Sequence, residues 1–402
     1  YYYKFIRYSS GSNTMKKLLF ILLILCAMQS SKIDLVLASS NTLNSTDEIE
    51  IELENTIDDL LQDFELEELD TLYVDEYNIF EEASLIEAIL HGKYFDNYDG
   101  LFQAILSLLC DSITGLLPML LVIVAISILS SILNNIKSDS KNNVSSIINF
   151  VCIAVIISLL AINFTSVIEV TKNCLDTMKK QMDIIFPIIL TLMSAIGGSV
   201  SGIYKPIVAV LTTSISSLFQ SILLPLFILS FLFAIVGSLS NNVKLDKING
   251  FISSSFKWIV GFVFTIFSAF LAVQGISAGK YDGVGIKAGK FAIKSYVPII
   301  GGYLSDGFDF IMLGSMLIKN AIGVGGLIIL FITIIVPLLQ IVLLKLGLQL
   351  VSGVVESTNN SEISNFVSAC SKTLMMPIVI ILGVAFMYIL LVALLMCTVT
   401  VL

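Results

Sequence analysis

Residues 321–344 read AIGVGGLIILFITIIVPLLQIVLL, a run of 24 residues without a charged side chain. As an α-helix this run would be about 36 Å long, which is enough to cross the hydrocarbon core of a bilayer. Lys319 and Lys345 flank the run, close enough to its ends for their ammonium groups to reach the membrane surface. The stretch therefore predicts a transmembrane helix.

Other apolar windows of similar length occur before and after this run, and each predicts a further span. The window 207–239 is too long for one straight crossing and carries Pro225 in its middle. Together the windows predict an all-α polytopic membrane protein with about seven spans. The six further spans are expected at about 113–133, 147–168, 184–204, 207–239, 258–278 and 374–401.

The predicted spans are joined by polar and amphipathic segments. Residues 101–112 are amphipathic and are expected to lie in the membrane interface. The charged residues between Lys172 and Asp183 predict a loop between the second and third spans. Lys287, Lys290 and Lys294 share one helical face, which indicates a basic interfacial helix.

Two features of the topology stay open. Residues 298–318 contain Asp306 and Asp309 and form either a re-entrant piece or a full span. With residues 298–318 counted as non-spanning and residues 39–100 outside, the predicted loops on the two sides of the membrane carry eight lysines each, so the positive-inside rule gives no orientation for the later loops.

Charge divides the chain into zones. Residues 39–100 carry 19 acidic residues against one lysine, whereas residues 101–402 carry 16 lysines and 11 acidic residues. The whole chain is 56% hydrophobic and 13% charged, which excludes a soluble enzyme. It has one arginine, Arg7, and no basic stripe, which excludes a nucleic-acid binder. The sequence thus predicts an acidic region, 39–100, attached to a multi-pass transmembrane domain, 101–402.

The N-terminal part indicates export. Met15-Lys16-Lys17 precedes an unbroken apolar run from Leu18 to Met28, and Val36-Leu37-Ala38 offers a cleavage site. This order predicts a signal peptide at 15–38, with residues 1–14 as an upstream extension. An uncleaved membrane helix is the alternative, although eleven apolar residues would span only about 16 Å. Either interpretation places residues 39–100 outside the cytoplasm.

The acidic region is predicted to be partly helical. Apolar residues between Asp47 and Leu72 recur at steps of mostly three and four, which indicates an amphipathic helix. A shorter helix is expected from Glu81 to Leu90. The strong negative charge favours docking onto a basic partner outside the membrane. A solvated acidic linker remains the alternative.

Residues able to support catalysis or metal binding are scarce. His91 is the only histidine, and no two of the six cysteines are spaced as CxxC. A histidine-based metal site or a Ser-His-Asp triad inside the membrane domain is therefore excluded. We predict no catalytic, cofactor-binding or metal-ligating residue, and no enzymatic activity.

Two sets of residues are candidates for helix packing or conduction. Small residues at four-residue spacing allow helices to approach closely, and the hydroxyl-rich face around Thr212 and Ser216 is suited to packing against other helices. Charges within or beside spans are candidates for lining a conduction path, although most could reach a membrane surface. The small residues are Ser194, Gly198, Gly202, Gly275 and Gly279, and the charges are Asp111, Lys205, Asp306, Asp309, Lys319 and Lys345.

Several motifs resemble those of the stage III sporulation protein AE family of endospore-forming bacteria. The similarity runs from Met15 to the C-terminus and is most specific between about 183 and 345. The motifs that carry it are Phe186-Pro187-Ile188-Ile189-Leu190-Thr191-Leu192-Met193, Gly197-Gly198, Tyr204-Lys205-Pro206, Gly275-Ile276-Ser277-Ala278-Gly279, Lys290-Phe291-Ala292-Ile293-Lys294, Val297-Pro298-Ile299-Ile300-Gly301-Gly302-Tyr303-Leu304-Ser305-Asp306 and Ile318-Lys319-Asn320-Ala321-Ile322-Gly323.

The resemblance implies a role in spore formation. Members of this family are multi-pass proteins of the mother-cell membrane that surrounds the forespore. They belong to a channel or secretion apparatus encoded in one operon, with ring-forming proteins, a secretion-type ATPase and a forespore membrane partner, and this apparatus is required for late forespore development. A stand-alone secondary permease for a small solute is the alternative function. The substrate, if any, and the stoichiometry stay open.

Overall fold

The computed structural model describes the backbone of residues 98–136, 143–195, 201–239, 246–296, 301–358 and 360–397. Within these ranges all regular secondary structure is helical, which confirms the predicted all-α fold class. The predicted signal peptide at 15–38 and the two predicted helices of the acidic region lie outside the described residues.

The described chain forms long helices in sequence order. A five-residue π-helical segment, Phe219–Leu223, joins the third helix to the fourth. The helices are α1 (Tyr98–Ile136), α2 (Asn143–Ala195), α3 (Ser201–Leu218), α4 (Leu224–Leu239), α5 (Asp246–Tyr296), α6 (Gly301–Ser357), α7 (Ser361–Thr373) and α8 (Met375–Cys397).

Six stretches of the described chain are long and apolar enough to cross a membrane, close to the predicted number of about seven. The difference arises because some predicted spans belong to one continuous helical stretch. The six stretches are Ser112–Leu133, Phe150–Ser194, Ile207–Gly237, Lys247–Ala272, Leu313–Ser357 and Ser361–Cys397.

Helix α2 corrects the predicted loop between the second and third spans. It is continuous over 53 residues, about 80 Å, and includes the charged segment from Lys172 to Asp183. That segment contains neither Gly nor Pro, and seven of its twelve residues are Lys, Met, Leu or Gln, which favour helix. Its buried Leu175, Met178 and Met182 also pack along one side. The charged residues therefore mark a polar face of a helix.

The long window 207–239 is helical throughout, with a local widening at its proline. The Leu224 N–H bonds the Phe219 carbonyl, five residues earlier, in the π-helical segment that precedes Pro225. Proline has no N–H to donate, and its ring would collide with the carbonyl of Ser221 in a regular α-helix. One π-helical turn accommodates this conflict, so the chain widens here and continues as helix.

Three other predicted segments merge with their neighbours. Residues 101–112 continue into the first span within α1. The segment with Lys287, Lys290 and Lys294 continues the fifth span within α5, which has 51 residues. Residues 301–318 belong to the 57-residue helix α6, whose backbone continues without a break past residue 321.

Helix α6 is the central element and packs against α1, α2, α5, α7 and α8. Gln181 of α2 contacts Thr333, and Ile185 lies against Gly326, so α2 and α6 are antiparallel. Lys319 in the first half of α6 bonds to the end of α8, and Lys345 in its second half bonds Ser371, just before α8 begins, so α6 and α8 are also antiparallel. The core forms around this helix.

The other helices complete the bundle through aromatic contacts and a capped turn. Phe164 of α2 stacks on Phe231 of α4, with ring centroids 3.6 Å apart. Helix α7 folds back along α6, and Asn360 caps its N-terminus by accepting a hydrogen bond from the Ile363 N–H at 3.4 Å. The Asn360 amide also donates to Ser130 of α1 at 3.1 Å, which ties α1 to this turn.

Candidate functional site: a polar layer inside the helix bundle

The charged middle of α2 lies beside the centre of the apolar run 321–344 of α6. Gln181 Nε2 donates to Thr333 Oγ1 at 2.6 Å, and Cys174 Sγ lies 3.9 Å from the Thr333 carbonyl. Thr333 is at the midpoint of the uncharged run 321–344. The two helices therefore place polar side chains at the depth where the α6 run has its centre.

A second polar contact joins α2 to the π-helical segment. Gln220 Nε2 donates to Asp176 Oδ1 at 2.7 Å, and Gln220 lies near the middle of the apolar stretch Ile207–Gly237. Gln181 is 2% exposed, and its Oε1 atom has no hydrogen-bond partner among the described residues. A buried acceptor without a hydrogen-bond partner is energetically unfavourable.

A third contact joins α3 to α8. The hydroxyl groups of Ser216 and Tyr388 lie 2.7 Å apart, and the Tyr388 hydroxyl donates to the Thr212 carbonyl at 3.3 Å. Tyr388 is completely buried. The hydroxyl-rich face predicted around Thr212 and Ser216 thus contacts another helix, and its partner is a tyrosine that the sequence did not single out.

Lys319, one of the charges proposed to line a conduction path, has a different position. Its side chain is completely buried, and Nζ donates to the carbonyl of Met396 at 3.1 Å and approaches that of Leu395 at 3.5 Å. These carbonyls belong to the last turn of α8, where unpaired carbonyls and the helix dipole favour a cation. Lys319 therefore caps α8.

The other proposed charges are only partly described. Lys345 is half-buried, and its carbonyl accepts a hydrogen bond from Ser371 Oγ at 2.9 Å, which holds α7 against α6. The side chains of Asp111, Lys205, Asp306 and Asp309 lie outside the described residues, so their candidate roles stay predictions.

The small-residue prediction is likewise only partly addressed. Ser194 is exposed and its hydroxyl donates to the Leu190 carbonyl within α2 at 3.0 Å. Gly198 lies outside the described residues, and no contacts are described for Gly202, Gly275 or Gly279.

Close helix contacts instead involve glycines that the sequence analysis did not select. A Cβ atom at Gly323 would lie 2.5 Å from Met396 Sδ, and one at Gly326 would lie 2.8 Å from Ile185 Cδ1. A Cβ at Gly383 would lie 3.0 Å from Phe219 Cε1. Each glycine lies in an apolar helical run where no turn is needed. A glycine in that setting is the sequence feature that could have indicated a close helix contact.

The interhelical contacts of Gln181 with Thr333, Gln220 with Asp176 and Ser216 with Tyr388 form what we call the polar layer. Its groups are suited to holding the helices in a fixed arrangement. It consists of amide and hydroxyl groups and one half-buried carboxylate, that of Asp176, bonded between helices. In the described residues no group of three or more His, Cys, Asp or Glu side chains could hold a metal ion. Such interhelical hydrogen bonds fix the rotation and depth of helices within a bundle.

Comparisons with known proteins identify the family. The family model described as stage III sporulation protein AE matches residues 80–399, well over half of the chain. The chain is also similar to the stage III sporulation protein AE of Bacillus subtilis (strain 168), with 23% identity over 295 residues, which cover 73% of this chain and 74% of that protein. No solved structure matches the chain. With a membrane-type helical bundle and a family match of this extent, the chain belongs to the stage III sporulation protein AE family.

Proposed function

We propose that this protein is a membrane component of a channel or secretion apparatus that links the mother cell to the forespore. It resides in the mother-cell membrane around the forespore, with its N-terminal region outside the cytoplasm. The observation that carries the proposal is the family match over residues 80–399, whose description names a sporulation stage and no enzymatic activity.

Two features of the described interior favour a component that works with other proteins. They are less typical of a stand-alone permease. Permeases commonly build a midplane site from interrupted helices in repeated halves. Here α6 runs without interruption through its apolar centre, and the buried charge of Lys319 caps a helix. Pro225 is the strongest sequence signal for a break in a helix. A single π-helical turn accommodates it, and the chain continues as helix.

The partners proposed for the chain are other products of the same operon. They include ring-forming proteins and a secretion-type ATPase, together with a protein of the forespore membrane. The acidic region 39–100, with 19 acidic residues against one lysine, would dock a basic surface of such a partner. Genes for an ATPase and ring-forming proteins beside this gene would support the proposal at once.

Docking by charge is tested by neutralising one acidic cluster. Replacing Glu65, Glu67, Glu68 and Asp70 by Gln and Asn should release a partner from the membrane-bound protein, and raising the salt concentration should do the same. The matched control neutralises Asp47, Glu48, Glu50 and Glu52, which lie on the same acidic region. Unchanged co-purification of every partner at low salt in both variants would leave only the role of a solvated linker.

The permease alternative is tested with the isolated protein. In liposomes the purified chain should show no saturable uptake of small metabolites, because transport requires the assembled apparatus. Robust uptake that Asp306→Asn or Asp309→Asn abolishes would contradict the proposal and favour the permease.

A further inference from the structure

The exposed face of α2 changes character along its length. From Ile147 to Ile162 the exposed residues are predominantly apolar, including Phe150, Val151 and Val155. From residue 165 onward the same face is almost entirely polar for about 30 residues. We call this second part the α2 polar stripe; its exposed members are Thr165, Ser166, Glu169, Lys172, Asn173, Lys180, Asp183, Thr191 and Ser194.

The α2 polar stripe lies at the level where other helices expose large apolar side chains. Ile222, which is 44% exposed, stands two residues from Gln220, the partner of Asp176. Phe331, which is 51% exposed, stands two residues from Thr333, the partner of Gln181. The same depth of the bundle therefore has apolar surface on some sides and a charged surface on the α2 side.

A third side of the bundle has the same apolar character at this level. Phe262 of α5, 52% exposed, stands two residues from Phe264, whose ring packs against Phe386 of α8 with a centroid distance of 5.8 Å. Phe264 also borders Gly383, which faces Phe219 at the start of the π-helical segment. The apolar sides suit lipid, whereas a charged stripe at that depth does not.

Among the described residues of one chain, none covers this stripe, because its members are exposed. Another copy of the chain supplies suitable chemistry. Copies in one membrane run parallel, so equal levels of α2 face each other. Glu169 and Lys172 stand one turn apart, as do Lys180 and Asp183, so each charge lies close to the level of an opposite charge on a second copy. The stripe is balanced, with two exposed acids and two exposed lysines.

We propose that the α2 polar stripe borders a water-filled passage formed between copies of this chain. The passage would admit small hydrophilic solutes and ions, since its wall carries hydroxyl groups, amides and charges of both signs. This inference rests on the proposed membrane location and adds self-association and a water-facing helix surface to it.

Water contact is tested by cysteine labelling of the full-length protein in membranes of sporulating cells. Single cysteines replace Glu169, Lys180 or Asp183 in a variant without native cysteines, and Ile222 or Phe262 serve as matched controls at the same depth. A charged, membrane-impermeant thiol reagent is applied to intact cells before engulfment is complete and to inverted vesicles. We expect labelling at the stripe to be at least ten-fold faster than at the controls. All five replaced residues are exposed, so burial within one chain does not explain a difference in labelling rate. Only variants that still support sporulation are compared.

Two results would contradict the proposal that the α2 polar stripe borders a water-filled passage. Equal, fast labelling of stripe and controls would place this level of the bundle in bulk water. Equal, slow labelling would place the stripe against lipid or a tightly packed protein.

Self-association is tested separately with a single cysteine at Lys172. A short bifunctional thiol cross-linker should give a product with twice the mass of the chain, and a cysteine at Phe262 should not. A product that contains only a different protein would overturn the role of a second copy. Co-purification of operon partners is read independently, so failure of this inference is distinguishable from failure of the proposed function.

Discussion

Gly383 is the position where the packing between α8 and the π-helical segment is most sharply testable. A Cβ atom there would lie 3.0 Å from Phe219 Cε1 and 3.3 Å from its Cζ, whereas carbon atoms normally pack at about 3.5–4.0 Å. Phe219 is completely buried, so its ring has little room to move away. A leucine at 383 must therefore displace a ring or separate two helices.

The magnitude follows from two opposing effects. Overpacking a filled core costs up to about 3 kcal/mol, and replacing a helical glycine returns up to about 1 kcal/mol of helix propensity. Gly383→Leu should therefore lower the free energy of unfolding by about 2 kcal/mol, which corresponds to a drop of a few degrees in Tm. Gly353→Leu is the matched control, because no atom lies within 4 Å of a Cβ at that exposed glycine.

The assay is the loss of monodisperse protein on heating in detergent, measured for both variants and the parent chain. Gly353→Leu should match or exceed the parent in Tm, while Gly383→Leu falls below it. Equal Tm values for the two variants would refute the described contact between Gly383 and Phe219.

Five further substitutions, at three positions, test other contacts, and one labelling experiment tests the topology. Lys319→Glu should prevent stable accumulation, because it places an anion against the carbonyl end of α8; Lys319→Met should lose about 1–2 kcal/mol, and equal protein levels for the two would contradict the capping role. Tyr388→Phe should lower the free energy of unfolding by about 1 kcal/mol through the lost interhelical hydrogen bond, and an unchanged Tm would contradict it. Asn360→Ala should lower the free energy of unfolding by about 1–2 kcal/mol. Asn360→Asp should lower it less, because the aspartate still caps α7 but no longer donates to Ser130. An equal loss in both variants would assign the effect to the Ser130 hydrogen bond alone. Single cysteines within 39–100 should react with an impermeant thiol reagent in intact cells before engulfment is complete, and protection until lysis at that stage would reverse the proposed topology.

The membrane class and the approximate spans were predictable from the sequence because the bilayer imposes one strong requirement. Runs such as 321–344 and 374–401 are apolar over a length that a membrane demands, whatever the tertiary structure. The continuity of α2 does not follow from the sequence pattern, because the charges between Lys172 and Asp183 predict a loop. Charge disfavours a lipid-facing surface, but it does not end a helix in the way that Pro or a C-terminal Gly cap can.

The polar layer could not be predicted for a different reason. Gln181 and Thr333 are 152 residues apart in sequence, and Ser216 and Tyr388 are 172 residues apart. Nothing local to either residue reveals such a partner. Lys319 was recognised as a charge beside a span, yet its cap on α8 depends on a helix end 77 residues later.

The central claim is that this chain works as a membrane component of a multi-protein apparatus between mother cell and forespore. The most direct test is purification of the tagged full-length protein from cross-linked membranes of sporulating cells after the forespore has been engulfed. The claim predicts recovery of other products of the same operon together with a forespore membrane protein. None of these should co-purify with an unrelated mother-cell membrane protein that carries the same tag. Recovery of the chain alone, under conditions where it supports sporulation, would contradict the claim.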